Sequence, residues 1–335
     1  MTKHALTSPF PFVCALLLAS CDAEVGVETP QGPVEEPASA LHIIASFTEA
    51  GSSSQTIRIL APKLEAYLER PVEIHYNEGG RGGDIGSRMA AAAPAEQLTL
   101  FVGTVGNISL LPNILPSYTV EPLKDFRPVT QLTVTPDVLI ANASLGVRYL
   151  EDLAIYADEQ FEPLTYSHIA PFSIHRMEFL EILSALGIDA RNDETIRGSA
   201  KAMAAVADGS IDLAMTTAPY VAPLVEQGSV VPLAVAHETR LPAYPTVPTM
   251  EELGIDIPHG SWSGAFVPAA TPAMETEQIF RALERALNDN DVVAQLAELG
   301  MIAAPSASPA AFRAYIEEEL SRLGAVARAF NVSED

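Results

Sequence analysis

The stretch "VEIHYNEGGRGGDIGSRMAAAA", residues 72–93, decides the fold of this chain. It opens with "VEIHY" (72–76), in which apolar and polar residues alternate as they do in a β-strand. It closes with "SRMAAAA" (87–93), which consists mostly of good helix formers. Five of the eight residues at 79–86, between the two, are glycine. A strand that passes through a short loop into a helix is a unit of α/β proteins, and the sequence therefore predicts this fold class.

The same order of strand, loop and helix occurs on either side of this stretch. Upstream, the apolar run "ALHIIASF" (40–47) is followed by a serine-rich loop and by a helix with leucines on one face. Downstream, "LTLFVG" (98–103) is followed by a loop of small residues, "TVGNIS" (104–109). Three such units predict parallel strands with crossover helices. The carboxyl ends of parallel strands share one edge, so we expect the three loops to lie together where α/β proteins bind ligands.

A second series of predicted strands and helices begins at Asp137, and two predicted helices close the chain. Such a repeat predicts two lobes, each a mainly parallel sheet flanked by helices. We expect the chain to cross between the lobes near Gln131–Asp137 and again near Pro258–Gly264. The predicted lobes are residues 41–134 together with 262–335 (lobe 1), and residues 135–261 (lobe 2).

The amino terminus has the pattern of an export signal, in which a basic start precedes the apolar stretch 5–18. This stretch is shorter than the ~20 residues that a transmembrane helix needs. The next residues, "LASC" (18–21), resemble the lipobox of bacterial lipoproteins. They predict a signal peptide over 1–20 and a lipid on Cys21, with an ordinary cleaved signal as the alternative. The acidic, proline-bearing residues 21–40 predict a flexible tether.

The charge balance limits the partners of this protein. The formal net charge is −24, which excludes nucleic acids and anionic lipid surfaces because both are bound through basic patches. An anionic ligand would also be repelled over about one Debye length, ~8 Å in physiological salt. Any anion site must therefore be local and consist of short-range hydrogen-bond donors.

Glycine-rich loops that enter helices can supply such donors. The first turn of a helix has free N–H groups and carries roughly half a positive charge, and glycine lets an anion approach the backbone closely. Tight turns without a ligand are the alternative, but three loops at one edge favour an anion site. A nucleotide is not expected, because no Gly-Lys-Ser/Thr triplet occurs and Ile85 interrupts the dinucleotide glycine spacing. The sequence predicts no cofactor.

Several segments in a fixed order resemble the substrate-binding receptors of tripartite tricarboxylate transporters, the Bug family. They include "SFTEAGSSSQTIRILAPKL" (46–64), "PVEIHYNEGGRGGDIGS" (71–87), "LTLFVGTVGNISLLP" (98–112) and "PLKDFRPVTQLTVTPDVLIAN" (122–142). The resemblance covers about residues 41–332. It implies a two-lobed, periplasmic-binding-protein-like fold of type II (a Venus flytrap) that closes on a hinge. It also implies a receptor without enzymatic activity that delivers a small organic carboxylate to membrane permease subunits.

The resemblance also implies which residues hold the ligand. Backbone amides of lobe 1, partly through ordered waters, would grip the carboxylate, and residues of lobe 2 would face them. The residues that match the family's positions are Gly51, Ser52, Ser53 and Ser54 in the first loop, Gly82, Gly83, Asp84 and Ile85 in the second, Thr104 in the third, and Ser173, His175, Gly198, Ser199 and Thr216 in lobe 2.

This chain departs from the family at positions that bear on the ligand. The family's usual Gly-Thr-Asp in the first loop is replaced by three serines, Ser52 to Ser54, so an acidic partner for a ligand amine is missing. The segment "YSHIAPFS" (166–173) replaces a loop of smaller residues and adds Ile169 and Phe172. These changes predict a monocarboxylate with an apolar or aromatic body.

The sequence lacks the residue patterns of metal binding and of hydrolysis. The histidines have no metal-ligand spacing, so no metal site is expected. No G-x-S-x-G motif and no paired acid and base can be assembled, which makes a hydrolase the weaker alternative. A sensor-input protein on the same scaffold stays open as an alternative function, because it would share the binding chemistry.

Trp262 could pack at the return crossing or stack on the ligand, and Arg81 could pair with a carboxylate or face solvent. We expect a monomer on the periplasmic face of the envelope, anchored by its lipid to either membrane.

Overall fold

The computed structural model describes residues 39–49, 51–77, 80–94, 96–255, 257 and 260–333. The predicted signal peptide, Cys21 and the predicted tether up to residue 38 lie outside the described residues. Within the described part, no helix combines the length and the apolar character that a membrane crossing needs.

Strands and helices alternate along most of the chain. The strands are β1 (Leu41–Ala45), β2 (Val72–Tyr76), β3 (Thr99–Thr104), β4 (Phe126–Thr135), β5 (Asp137–Asn142), β6 (Leu164–Ser167), β7 (Ala190–Asn192), β8 (Leu213–Thr217), β9 (Val230–Ala236), β10 (Ser261–Pro268) and β11 (Ile302–Ala303). The helices are α1 (Ser52–Leu68), α2 (Asp84–Ala91), α3 (Leu111–Ile114), α4 (Pro122–Asp125), α5 (Leu150–Glu159), α6 (Ile174–Leu186), α7 (Ser199–Asp208), α8 (Ala218–Glu226), α9 (Ala273–Leu287), α10 (Asn290–Glu298) and α11 (Pro309–Ala329). A π-helical turn (Gly106–Leu110) precedes α3, and 3₁₀ turns occur at Ala143–Leu145 and Glu251–Leu253.

The strands form two sheets, which confirms the predicted α/β class. The first sheet has six strands in the order β11-β4-β10-β3-β1-β2, and the second has five in the order β7-β6-β8-β5-β9. In the first sheet, β1 runs parallel to β2 and β3, whereas β10 runs antiparallel to β3 and β4. In the second, β5 is antiparallel to β8 and β9. Within the described residues, four of the six strands of the first sheet and four of the five of the second run in one direction, as predicted. β10 and β5, which arrive from the other sheet, run in the opposite direction, and so does β11.

Each sheet is covered on both faces by apolar side chains. One face of the first sheet packs Phe101, Phe126 and Phe266 against Phe312 of α11. Its other face packs against α1, α9 and α10. Two similar layers enclose the second sheet. Burial on both faces explains the nearly continuous apolar runs of the central strands.

The chain passes between the sheets at two adjacent points. Pro136 alone separates Thr135 at the end of β4 from Asp137 at the start of β5. The return passes through Gly260, which has a positive φ of +86° and lies directly before β10. The lobe boundaries predicted from the sequence stay a prediction.

Several elements were not predicted from the sequence. β7 and β11 are only three and two residues long, too short for a periodic signal. In α8, Pro219 occupies the first turn and Pro223 the interior, and β4 contains Pro128. Proline normally argues against both helix interiors and central strands, so its presence hid these elements.

Candidate ligand-binding cleft

A cavity of about 180 Å³ lies where the crossing strands leave the first sheet. The described residues that line it come from the start of α1, the third loop, β4, the start of α6 and β10. They are Ser52, Ser53, Thr104, Val105, Gly106, Thr133, Thr135, Ser173, Ile174, His175, Ser261, Trp262 and Ser263. None of them is Asp, Glu, Lys or Arg, so hydroxyl and backbone groups dominate the polar part of this wall.

Two helices begin at the cavity. α1 has Gly51 as its N-cap, without a side-chain cap, and no acidic residue in its first turn. α6 has Ser173 as its N-cap, and the Ser173 hydroxyl oxygen accepts from the backbone N–H of His175 at 3.2 Å. The amino ends of both helices direct partial positive charge into the same space, which suits an anion.

A row of hydroxyl groups on β4 and β10 forms another wall. Thr133 and Thr135 lie opposite Ser263 and Ser261 in the antiparallel register. The hydroxyls of Thr133 and Ser263 are 2.7 Å apart and hydrogen bonded. The sequence did not single these residues out, although "TVT" (133–135) and "SWS" (261–263) place hydroxyls at every second position. Within an apolar strand, this spacing puts the hydroxyls on one face.

Asn107 holds the third loop in place. Its Oδ1 accepts from the backbone N–H of Thr104 at 2.8 Å, and its Nδ2 donates to Ser46 Oγ at 2.7 Å. The Tyr118 hydroxyl donates to the Asn107 carbonyl at 2.5 Å. Burial raises the pKa of Tyr118 to about 12, so this hydroxyl keeps its proton at neutral pH. Asn107 is fully buried and connects the ends of β1 and β3.

The second loop lies beside the cavity and not in its described lining. Gly82 and Gly83 adopt positive φ angles of +61° and +89°. The Asp84 carboxylate accepts from the backbone N–H of Arg81 at 2.9 Å and pairs with Arg88 at 2.7 Å, so it is held within its own loop and helix. A Cβ atom at Gly82 would lie 3.3 Å from Phe172 Cβ, and the Arg81 guanidinium lies 5.4 Å from the centre of the Phe172 ring. The second loop thus contacts the segment 166–173.

The structure brings five of the predicted ligand residues together at the cavity: Ser52, Ser53, Thr104, Ser173 and His175. The other nine lie outside the described lining, and their ligand roles stay predictions. Ser54 is fully buried and its hydroxyl donates to the Phe47 carbonyl at 3.2 Å. Thr216 is buried within β8. The remaining seven are Gly51, Gly82, Gly83, Asp84, Ile85, Gly198 and Ser199.

The apolar part of the lining differs from the one expected. Ile169 is buried under the second sheet, and Phe172 packs against the second loop. Val105, Ile174 and Trp262 line the cavity instead. The Trp262 ring packs edge-on against Phe312 and Tyr315, with centroid distances of 6.0 and 5.8 Å. Trp262 therefore packs against α11 and also lines the cavity.

His175 is fixed by contacts at both ring nitrogens. Nδ1 lies 2.6 Å from Ser173 Oγ, and Nε2 lies 3.1 Å from Asp137 Oδ1. Ser261 Oγ donates to the second Asp137 oxygen at 3.2 Å. Three residues after His175, the Glu178 carboxyl is fully buried; burial raises its pKa well above the usual value, and the Asp137 charge adds to this. The sequence did not predict the roles of Asp137 and Glu178.

Ser173, His175 and Asp137 do not form a serine-hydrolase triad. In such a triad Nε2 contacts the serine and Nδ1 the aspartate, and here the two nitrogens are exchanged. The Ser173 hydroxyl also caps α6. The geometry therefore suits a positioned hydrogen-bond donor better than a nucleophile.

Residues 56–332 match the model of the TctC family, the tripartite tricarboxylate transporter family receptors. The chain belongs to this family. BugT of Bordetella pertussis is 26% identical over 311 residues, which cover 91% of this chain and 94% of BugT. The suspected membership of the Bug group of receptors is thereby confirmed.

Solved structures of this receptor family show the same fold. MatC from Rhodopseudomonas palustris with bound malate has a TM-score of 0.69 and 27% identity, over 86% of this chain and 98% of MatC. Rpa4515 of R. palustris with adipate has a TM-score of 0.73 and 25% identity, over 88% of this chain and 98% of Rpa4515. The predicted two-lobed fold of a periplasmic binding protein is confirmed.

Proposed function

We propose that this chain is an extracytoplasmic receptor that binds a small carboxylate in the described cavity and delivers it to the membrane subunits of a tripartite transporter. The observation that carries the proposal is the cavity wall itself. The amino ends of α1 and α6 meet there with a row of hydroxyls, and the described lining has no acidic or basic side chain other than His175.

This wall suits a carboxylate for two reasons. Neutral hydrogen-bond donors and helix amino ends stabilise a single negative charge without a Lys or Arg side chain. They also act over a few ångströms, so they function in a protein whose net charge of −24 repels anions at longer range. The two related structures hold malate and adipate, which are also small carboxylates.

The remainder of the lining favours a ligand with one carboxylate and an apolar body. Val105, Ile174 and Trp262 supply the apolar surface. The described lining contains no Arg or Lys that would pair with a second carboxylate. A dicarboxylate or tricarboxylate would have to place its further charges among hydroxyls alone.

The ligand roles of the second loop and of Gly198, Ser199 and Thr216 belong to the same proposal. The contact between Gly82 and Phe172 joins the two sides of the cleft, and a hinge motion at the crossings would change it. The protein acts as a receptor and not as an enzyme, works as a monomer, and is held at the periplasmic face by a lipid on Cys21.

Isothermal titration of the chain lacking residues 1–21 tests the proposal. The probes are benzoate, adipate, malate and citrate, with the corresponding amide benzamide as a neutral control. We expect benzoate to bind most tightly among these probes, benzamide not to bind, and the bound acid to be recovered unchanged. Tighter binding of citrate would refute the monocarboxylate, and binding of benzamide equal to that of benzoate would refute the anion site.

A further inference from the structure

Three buried side chains beside the cleft bring one potential ligand atom each close together. Asp137 begins β5, and His175 and Glu178 lie one turn apart on the same face of α6. One oxygen or nitrogen from each lies within 4.8 Å of those of the other two. Asp137 and Glu178 are fully buried, and His175 is 9% exposed.

Each of the three residues can offer one lone pair to an ion. Ser173 Oγ can accept from His175 Nδ1–H, which leaves the lone pair on Nε2. Ser261 donates to one Asp137 oxygen, and the other, Oδ1, is hydrogen bonded to Nε2 at 3.1 Å, a contact that a bound ion would replace. Two ligands of a tetrahedral ion with bonds of ~2.1 Å are about 3.4 Å apart. Hydrogen bonds from outer partners that orient metal ligands in this way are usual in metalloproteins.

The Glu178 carboxylate is a second sign of a ligand at this cluster. Both of its carboxylate oxygens are buried, and neither has a hydrogen-bond partner. A buried carboxyl group without a partner is costly, more so beside a second buried carboxylate. Arg322, the cation of α11 that faces α6, pairs with Glu181 at 3.2 Å and with Glu319 at 3.0 Å. Among the described residues, Arg322 acts on Glu178 through its charge but forms no hydrogen bond with it, so a bound cation would give the Glu178 carboxyl group a direct partner.

We propose that Asp137, His175 and Glu178 bind one divalent transition-metal ion of the zinc type at the wall of the cleft. One imidazole nitrogen and two carboxylate oxygens are a ligand set that Zn²⁺ accepts, with a fourth position left open. His175, Ser173 and Ser261 also line the cavity, which gives the ion its route of entry and directs the open position toward a ligand. The ion adds positive charge to a wall whose described residues include no Lys or Arg.

Spacing in the sequence alone does not reveal this site. His175 and Glu178 are three residues apart, but Asp137 lies 38 positions before His175 and joins them only through the packing of β5 against α6. The proposal does not depend on the carboxylate, because the ion can bind whether or not an acid occupies the cavity.

Metal binding by the chelator-treated chain tests the proposal. Zn²⁺ and Mn²⁺ are titrated by calorimetry, and the metal retained after gel filtration is measured by mass spectrometry. We expect one tightly bound Zn²⁺ per chain and a higher melting temperature with the ion. Glu178→Gln and Asp137→Asn each keep the side-chain shape and should lower the affinity ~10-fold or more.

Two control variants exclude other sources of metal binding. His42, Glu73 and His75 form a second, partly exposed cluster, and His75→Gln removes it while leaving the tight site intact. Glu181→Gln removes a carboxylate one turn further along α6 and should also leave the affinity unchanged. Absence of tight Zn²⁺ binding, or binding lost in His75→Gln and retained in Glu178→Gln, would overturn the proposal.

Discussion

Gly260 lies so close to Thr135 that a Cβ atom at Gly260 would be 2.6 Å from the Thr135 carbonyl oxygen. The two residues belong to the two crossings between the sheets, so the crossings touch each other through bare backbone. Gly260 also has a φ of +86°, a conformation that favours glycine.

Gly260→Ala should destabilise the protein by about 3 kcal/mol, because it combines a left-handed backbone with a clash against a rigid carbonyl. Urea denaturation measures the loss. Gly228→Ala is the matched control: its φ is +70° and nothing lies within 4 Å of its added Cβ. We expect about 1 kcal/mol there. Equal losses in the two variants would show that the crossings separate easily.

Ser52→Asp should abolish carboxylate binding without harming the fold. Ser52 is exposed in the first turn of α1, where an acidic side chain stabilises a helix by about 0.3–1 kcal/mol. The same charge repels the ligand by about 4 kcal/mol at 4 Å near a protein surface, which corresponds to at least a ~100-fold loss of affinity. Calorimetry and thermal melting are the measurements.

Ala273→Asp is the control for this variant, because Ala273 is exposed in the first turn of α9 and is not in the described cavity lining. It should raise the melting temperature to a similar extent and leave ligand affinity unchanged. Undiminished binding by Ser52→Asp would place the carboxylate away from the amino end of α1.

Asn107→Ala should cost about 3 kcal/mol of stability and also weaken ligand binding. The variant removes the acceptor of the part-buried Thr104 N–H and the donor to Ser46 Oγ, which keeps its bond to the Val102 carbonyl, and it releases the third loop. Asn113→Ala is matched to it, since Asn113 donates to the Ser109 and Leu320 carbonyls at 2.9 and 3.0 Å. We expect Asn113→Ala to lower stability alone. If both variants bind ligand equally well, the third loop does not position it.

Stability should fall on acidification because of His168. Burial lowers the pKa of His168, the nearby Arg176 lowers it further, and Glu194 opposes them. The unfolded chain, with a histidine pKa of ~6.5, then takes up the proton first, and stability declines as pH falls below this value. Urea midpoints at pH 7.5 and pH 5.5 report the effect. His168→Gln should reduce the difference and His237→Gln should not; an identical pH dependence in His168→Gln would contradict the assignment.

Local sequence patterns allowed the fold class to be predicted. Much of the cavity lining could not be predicted, because it depends on pairing between strands that are far apart in sequence. The strand, loop and helix units around α1 and α2 follow from residues close in sequence. Thr133 and Ser263 are 130 positions apart, and only the pairing of β4 with β10 makes them one wall. The pairing of Asp137 with His175 likewise depends on how two elements pack. The serines at the start of α1 could be predicted because a helix start is itself a local signal, whereas Ser173 at the start of α6 was predicted from the family resemblance.

β10 lies between β3 and β4 in the first sheet, although some 125 residues of chain separate it from the end of β4. Until residues 261–268 arrive, β3 and β4 have open, apolar edges with no strand to join them. The first sheet therefore cannot complete its folding until the second half of the chain has been synthesised. A nascent or truncated chain that ends before β10 would expose unpaired, aggregation-prone strand edges. Such a chain should be a target for holdase chaperones and proteases.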